Sequence, residues 1–219
     1  MPQVDLSRKY SDFLTPKKQI IVNNEDIMQK YCIASTNLAV EQILNDSTKF
    51  NFSIDDPQAK WSNMELFKIE KTIEIKMGYD RVLETIVIGK ITAIKTVFHP
   101  NSAPFIEVFG EKKKANIMSL TPSNLPVYSL AYGNTLRSFT VITTIENQST
   151  NTQIVNRETT INIPNLRCSG ECIGLPDIKP GVSVTLSRLG NKYNQTYFVE
   201  KAIHSWDNTG FRTLFEAKH

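Results

Sequence analysis

His204, Ser205 and Asp207 supply, close together in the chain, the three side-chain types of a hydrolytic triad. In such a triad an imidazole removes the proton of a serine hydroxyl, the serine attacks a carbonyl carbon, and a carboxylate orients the imidazole. Triad members come from separated elements that converge in space, and no Gly-x-Ser-x-Gly turn precedes Ser205. The pattern therefore favours a structural role for His204 and predicts no catalytic residue.

The carboxylates Asp55, Asp56, Glu70 and Glu74 include the residue types of a glycosidase pair that acts on peptidoglycan. Two such carboxylates must face each other across a cleft, which sequence spacing alone does not establish. Asp55 and Asp56 stand directly before Pro57, a combination typical of a turn that ends a strand. We predict a turn here.

Metal and cofactor motifs are weak. Cys168 and Cys172 are spaced so that a turn could bring their thiols together, but a zinc site needs about four ligands and no histidine lies near them in sequence. We predict free thiols, Cys32 included, in a reducing cytoplasm, with no bound metal and no cofactor. Gly181, Gly190 and Gly210 are isolated turn glycines and do not form the Gly-x-Gly-x-x-Gly cluster of a phosphate-binding loop.

The composition is that of an ordinary globular protein. The 219 residues carry a formal net charge of +3 and are 40% hydrophobic, which predicts one large or two small domains and no nucleic-acid binding. No stretch approaches the roughly twenty apolar residues that cross a bilayer, and the N-terminus has no apolar signal-peptide core. These features predict folding in the cytoplasm without a signal peptide and without membrane insertion.

Strand patterns dominate the chain. Val182, Val184 and Leu186 alternate with polar residues, and two further strands follow through Tyr197–Ile203 and Gly210–Glu216. Alternation predicts further strands over residues 50–54, 72–79 and 138–145, with a hairpin loop at 147–151. The run 84–98 is almost free of strand breakers and rich in Ile, Val and Thr, which predicts one long strand bent at Gly89, with a hairpin partner at 105–109.

Local signals bear on three further segments. The segment Ser62–Phe67 is predicted as a short helix, because Ser62 and Glu65 have the spacing of a capping box. Residues 112–133, with two prolines and the basic run Lys112–Lys114, are predicted as a linker. For Leu38–Leu44, propensity favours a helix and the alternation of apolar residues favours a strand.

The order of these segments resembles the baseplate hub proteins of contractile tails, a family that includes phage late control D proteins and the N-terminal hub part of type VI secretion spike proteins. The resemblance rests on the motifs Phe50–Pro57, Thr72–Tyr79, Val87–Ile94, Ile178–Gly190, Tyr197–His204 and Gly210–Glu216. It covers roughly residues 20 to 110 and 165 to 217. In the family a strand lies at the position of Leu38–Leu44, so the resemblance favours a strand over a helix there. A histidine also recurs in the family at the position of His204.

The resemblance implies a mainly β chain of two tube-like antiparallel β-barrel domains with a short helix in the first. The implied division is 1–111, a linker over 112–133, and 134–219. Hub proteins form homotrimeric rings that adapt a six-fold inner tube to a three-fold spike. This implies a structural, non-enzymatic subunit that binds an inner tube protein, a separate spike protein and other baseplate subunits. It also implies assembly in the cytoplasm and a place in a virion tail or an injection particle.

Two other functions remain open from sequence. One is a cell-wall-degrading tail enzyme, and the other is a ligand-binding β-barrel module. Five aromatic residues fit two roles, a binding platform for carbohydrate or nucleic acid, or plugs at the ends of a barrel. They are Trp61, Phe67, Tyr79, Trp206 and Phe211.

Overall fold

The computed structural model describes residues 3–4, 6–64, 66–100, 102–114, 126–149 and 160–219. These residues form fourteen strands of one sheet and two short α-helices, α1 (Leu6–Lys9) and α2 (Ile27–Tyr31), neither long and apolar enough to cross a membrane. The strands are β1 (Gln3–Val4), β2 (Pro16–Val22), β3 (Glu25–Asp26), β4 (Ser35–Ile43), β5 (Thr48–Asp55), β6 (Thr72–Tyr79), β7 (Val82–His99), β8 (Ser102–Lys112), β9 (Val127–Ala131), β10 (Leu136–Ser149), β11 (Thr160–Ile173), β12 (Ser183–Ser187), β13 (Thr196–Asp207) and β14 (Gly210–Lys218).

Strand β13 joins the two parts of this sheet, because it pairs with β4 as well as with β12 and β14. The order is β1-β9-β12-β13-β4-β5-β8-β7-β6-β2-β3, and β14, β11 and β10 continue from the other edge of β13. We call β2 to β8 the first half, and β9 to β14 with β1 the second half. Pairs are antiparallel except β1–β9 and β9–β12, and the described path does not close on itself. The predicted mainly antiparallel β class is confirmed.

The strand interpretation of Leu38–Leu44 is confirmed, although helix propensity opposed it. Leu38 and Val40 of β4 are fully buried, and β4 pairs with β5 on one side and β13 on the other. Burial of one face on a sheet stabilises the strand by more than the small differences between intrinsic propensities.

The prediction of a helix at Ser62–Phe67 is wrong, because the described residues of this segment form turns. Glu65 lies outside the described residues. Ser62 does not cap a helix, because its hydroxyl and its N–H both donate to Asp56. The short helix of the first half is instead α2. Asp26 caps it by accepting from the N–H groups of Met28 and Gln29.

The predicted linker and hairpin loop are also revised. Residues 112–133 include the end of β8 and all of β9, while residues 115–125 lie outside the described part of the chain. Asn147, Gln148 and Ser149 still pair with β11, so the predicted loop at 147–151 begins later than its polar sequence indicated.

Phenylalanine rings lie over glycines of neighbouring chain segments in both halves. A Cβ atom at Gly110 would lie 2.1 Å from the Phe50 ring, and one at Gly174 would lie 2.1 Å from the Phe211 ring. A Cβ atom at Gly170 would likewise lie 2.6 Å from the Phe215 ring. These glycines therefore provide space for rings, and each ring fills what would otherwise be a gap in the core.

Asp56 organises the turn that ends β5, as the sequence predicted. Its buried carboxylate accepts from the N–H groups of Trp61 (2.6 Å) and Ser62 (3.1 Å) and from the Ser62 hydroxyl. Replacing Asp56 with alanine leaves these donors unsatisfied, so we expect a loss of about 2 kcal/mol in the free energy of unfolding. Urea unfolding measures this loss. Asp55→Ala, at the exposed neighbour, is the control, and an equal loss in both variants would contradict the prediction.

Candidate functional site

Eight adjacent strands from both halves form one continuous sheet, in the order β10-β11-β14-β13-β4-β5-β8-β7. All seven pairs in it are antiparallel. One side packs on the core, and the other, which we call the eight-strand face, is directed away from the core. Side chains alternate between the two sides, so every strand contributes to both.

A single row of paired residues crosses the whole eight-strand face. From β10 to β7 it consists of Ser138, Glu171, Leu214, Ile203, Glu41, Lys49, Glu111 and Lys90. Acidic and basic side chains follow one another in the first-half part of the row, and two apolar side chains mark the centre. The register of both halves is therefore continuous across β13 and β4.

Ion pairs balance the charge of the eight-strand face. Lys201 of β13 lies 2.8 Å from Glu41 of β4 and 3.6 Å from Glu216 of β14, so it bridges the halves. Lys95 pairs with Glu107 at 2.8 Å. Among the described side chains of this face, neighbouring charges of opposite sign leave no basic stripe of the kind that binds nucleic acid. Open depressions of about 420, 310 and 170 Å³ also lie on this face.

Among the residues that the structure describes, the two outer strands of the eight-strand sheet have free edges. β6 pairs with β7 as far as Lys90, so residues 92–99 pair with β8 alone, and β10 pairs with β11 alone from Ser138 onward. Both edges carry exposed apolar residues, Phe98 on β7 (67% exposed) and Ile142 on β10 (62% exposed). Unpaired backbone groups beside exposed apolar side chains favour pairing with another chain.

Two long hairpins extend from opposite ends of this sheet. The register places Val97, Phe105 and Asp207 at one end, where the β7–β8 turn lies and where His99 stacks on Phe105. β10 and β11 run together toward the other end, where Ser149 pairs with Thr160. The hairpins therefore differ both in the sheet edge that they occupy and in the end from which they project.

Aromatic residues from both halves meet beside the β13–β4 pair, in a cluster that we call the aromatic joint: Tyr10, Tyr79, His204, Trp206 and Phe211. Phe211 lies 5.9 Å from Tyr79, 5.8 Å from Trp206 and 6.5 Å from His204 between ring centroids. Tyr10 lies 5.5 Å from Tyr79. The joint packs the two halves into a shared core.

The N-terminal segment reinforces the joint. β1 adds to β9 of the second half, whereas β2 belongs to the first. Between them, Lys9 (2.7 Å) and the Tyr10 hydroxyl donate to Asp177, and Lys9 also pairs with Glu84 of β7 at 2.8 Å. Burial and the Asp177 charge raise the pKa of Tyr10, so its hydroxyl remains a donor at neutral pH.

The residues with catalytic types do not converge. His204 is buried and bonds Thr213, whereas Asp207 accepts from Thr209 and pairs with Arg212, and Ser205 lies on the other side of the strand. His204 shares the buried side of β13 with Val199, although strict alternation would place residues five positions apart on opposite faces. The cause is a bulge between Val199 and Lys201, which shifts the alternation by one residue.

The other sequence candidates have structural contacts of their own. Glu70 pairs with Lys90, and Glu74 accepts from Thr85. Cys168 and Cys172 are unpaired on the buried side of β11, and burial raises the pKa of Cys168 to about 12. Within the described ranges, no three His, Cys, Asp or Glu side chains cluster as metal ligands. Most of the aromatic candidates are buried rather than exposed as a platform: Trp61, Phe67, Tyr79 and Phe211.

No protein-family model and no curated protein matches the chain in sequence. Solved structures do match its fold. The tail protein from Neisseria meningitidis MC58 aligns with a TM-score of 0.59 at 8% identity, over 94% of this chain and 97% of that one. The 43 kDa tail protein of prophage MuSo2 from Shewanella oneidensis aligns with a TM-score of 0.57 at 7% identity, over 93% and 98%. The chain therefore has the fold of these tail proteins over nearly its whole length.

Proposed function

We propose that this chain is a structural, non-enzymatic baseplate hub subunit of a phage tail or a phage-tail-like contractile injection system. Three copies form a ring that adapts a six-fold inner tube to a three-fold spike. The eight-strand sheet, which spans both halves and has two free edges, carries this proposal. The first half and the second half act as two tube-like units of one chain, so three chains present six units to the tube.

The directions of the free edges fit a ring. In an alternating antiparallel sheet of eight strands the outer two, β7 and β10, run in opposite directions. Relative to the paired row, the free residues 92–99 of β7 lie toward one end and most of β10 lies toward the other, so the two edges come level when the strands are tilted to the ring axis, as in a closed sheet. Rotation about that axis preserves strand direction, so β7 of one copy meets β10 of the next as an antiparallel neighbour. Pairing of this kind removes the exposed edges that each chain has alone.

The eight-strand face then lines the channel of the ring. Its compensated charges and its serine and threonine side chains suit a water-filled passage, because they need no protein partner to be solvated. The partners are an inner tube protein, a separate spike protein and other baseplate subunits. Assembly takes place in the cytoplasm, before the ring becomes part of a tail or an injection particle.

Sedimentation at several concentrations, alone and with an inner tube protein and a spike protein from the same source, tests the ring. We expect a species of three times the 24.9 kDa chain mass that binds both proteins. A folded chain that stays monomeric under all these conditions and binds neither protein would overturn the proposal.

Ile142→Asp tests the seam itself. We expect the trimer to dissociate at least about tenfold more readily, because the seam loses apolar burial and gains a charge. Ile88→Asp is the matched control: Ile88 is 50% exposed but lies opposite Glu74 of β6, away from the free edge. Equal weakening by both substitutions would show that the seam lies elsewhere.

A further inference from the structure

The aromatic joint contains a histidine that the proposed ring does not use. His204 is 0% exposed and lies opposite Val40, on the strand pair that connects the two halves. Its ring also contacts Phe211, which packs on Tyr79 of the first half. A change at His204 therefore acts on the connection between the halves.

The ring of His204 is only partly satisfied. Nδ1 lies 3.0 Å from the Thr213 hydroxyl, while Nε2 has no hydrogen-bond partner among the described residues. Thr213 in turn accepts from the N–H of Leu175 at 2.9 Å. A neutral imidazole leaves one nitrogen unpaired, whereas an imidazolium would add a second buried N–H and a positive charge without an acceptor.

The surroundings of His204 favour the neutral ring. The residues that pack on it from β4 and β14 are uncharged, namely Val40, Phe211 and Thr213. Two charged groups act on it from the segment before β12, Asp177 favouring the imidazolium and Lys179 opposing it. Asp177 is already engaged by Lys9 and Tyr10. Burial outweighs Asp177 and lowers the pKa of His204 to about 4.

We propose that His204 makes the aromatic joint acid-sensitive: the neutral ring holds β13 on β4, and protonation loosens the two halves from each other. This device belongs to the single chain and does not depend on the ring. Because the folded-state pKa lies below the unfolded value of about 6.5, the contribution of His204 to stability is complete above that pH. It is lost as the pH falls toward 4.

Acid titration of the whole chain tests the proposal. NMR of the chain, which has three histidines, should show the His204 imidazole titrating below pH 5. Between pH 7 and 4 the unfolding equilibrium constant should rise by roughly 100-fold more in the wild type than in His204→Phe. His99→Gln and His219→Gln, at exposed histidines, should retain the wild-type dependence.

Trp206 reports on the joint directly. In a Trp61→Phe background it is the remaining tryptophan of the two in the chain, and its emission should shift to longer wavelength with the His204 titration. A His204 imidazole that titrates near the ordinary value of about 6.5 in the wild type would overturn the proposal, whether or not His204→Phe folds. An acid response of Trp206 and of unfolding that is unchanged in His204→Phe would overturn it as well.

Discussion

Phe211→Ala is expected to lower the free energy of unfolding by about 3–5 kcal/mol, the range for removing a buried aromatic side chain. Phe211 is 5% exposed, and its ring contacts Tyr79, Trp206 and His204. Its loss leaves a cavity at the point where the halves join, so both halves lose packing at once. Urea denaturation followed by circular dichroism measures the change.

Phe98→Ala is the matched control for this prediction. Phe98 is 67% exposed at the tip of the β7–β8 hairpin, so in the single chain its removal should change stability by less than about 0.5 kcal/mol. Similar losses in the two variants would show that the aromatic joint does not contribute more than an exposed ring.

Gly174→Val is expected to destabilise the chain by about 3 kcal/mol, at the upper end for added volume in a packed core. A Cβ atom there would lie 2.1 Å from two atoms of the Phe211 ring. The clash is with one side chain, so the cost should fall below about 1 kcal/mol when Phe211 is already alanine. A double-mutant cycle measures this coupling, with Phe98→Ala as the uncoupled background. A cost that is independent of Phe211 would contradict the assigned contact.

The strands were the most predictable part of the fold, because one buried face imposes a two-residue period on the sequence. Thr72–Tyr79 alternates without interruption, and β6 has the predicted bounds. Prediction from sequence was wrong where tertiary contacts outweigh local signals. Ser62 has the residue type and spacing of a helix cap, but the buried carboxylate of Asp56 engages it instead.

The candidate site was less accessible from sequence than the strands. The resemblance implied a ring of subunits, but the row of paired residues depends on contacts between segments far apart, such as Ile203 with Glu41. No local pattern records such a register. The aromatic joint is similar, since Tyr79 and Phe211 each have the pattern of an ordinary buried strand residue. The bulge after Val199 leaves no recognised signal in the sequence, so strict alternation places His204 on the wrong face of the strand.

The two long hairpins give any ring of these chains a polarity. Rotation about the ring axis carries every β7–β8 tip, with Phe98 and His99, to one rim and every β10–β11 arm to the opposite rim. The rims then differ in shape and chemistry before any partner binds. In the hub that we propose, an inverted ring would present the wrong rim to each neighbour, so the topology of the single chain would set the direction of insertion.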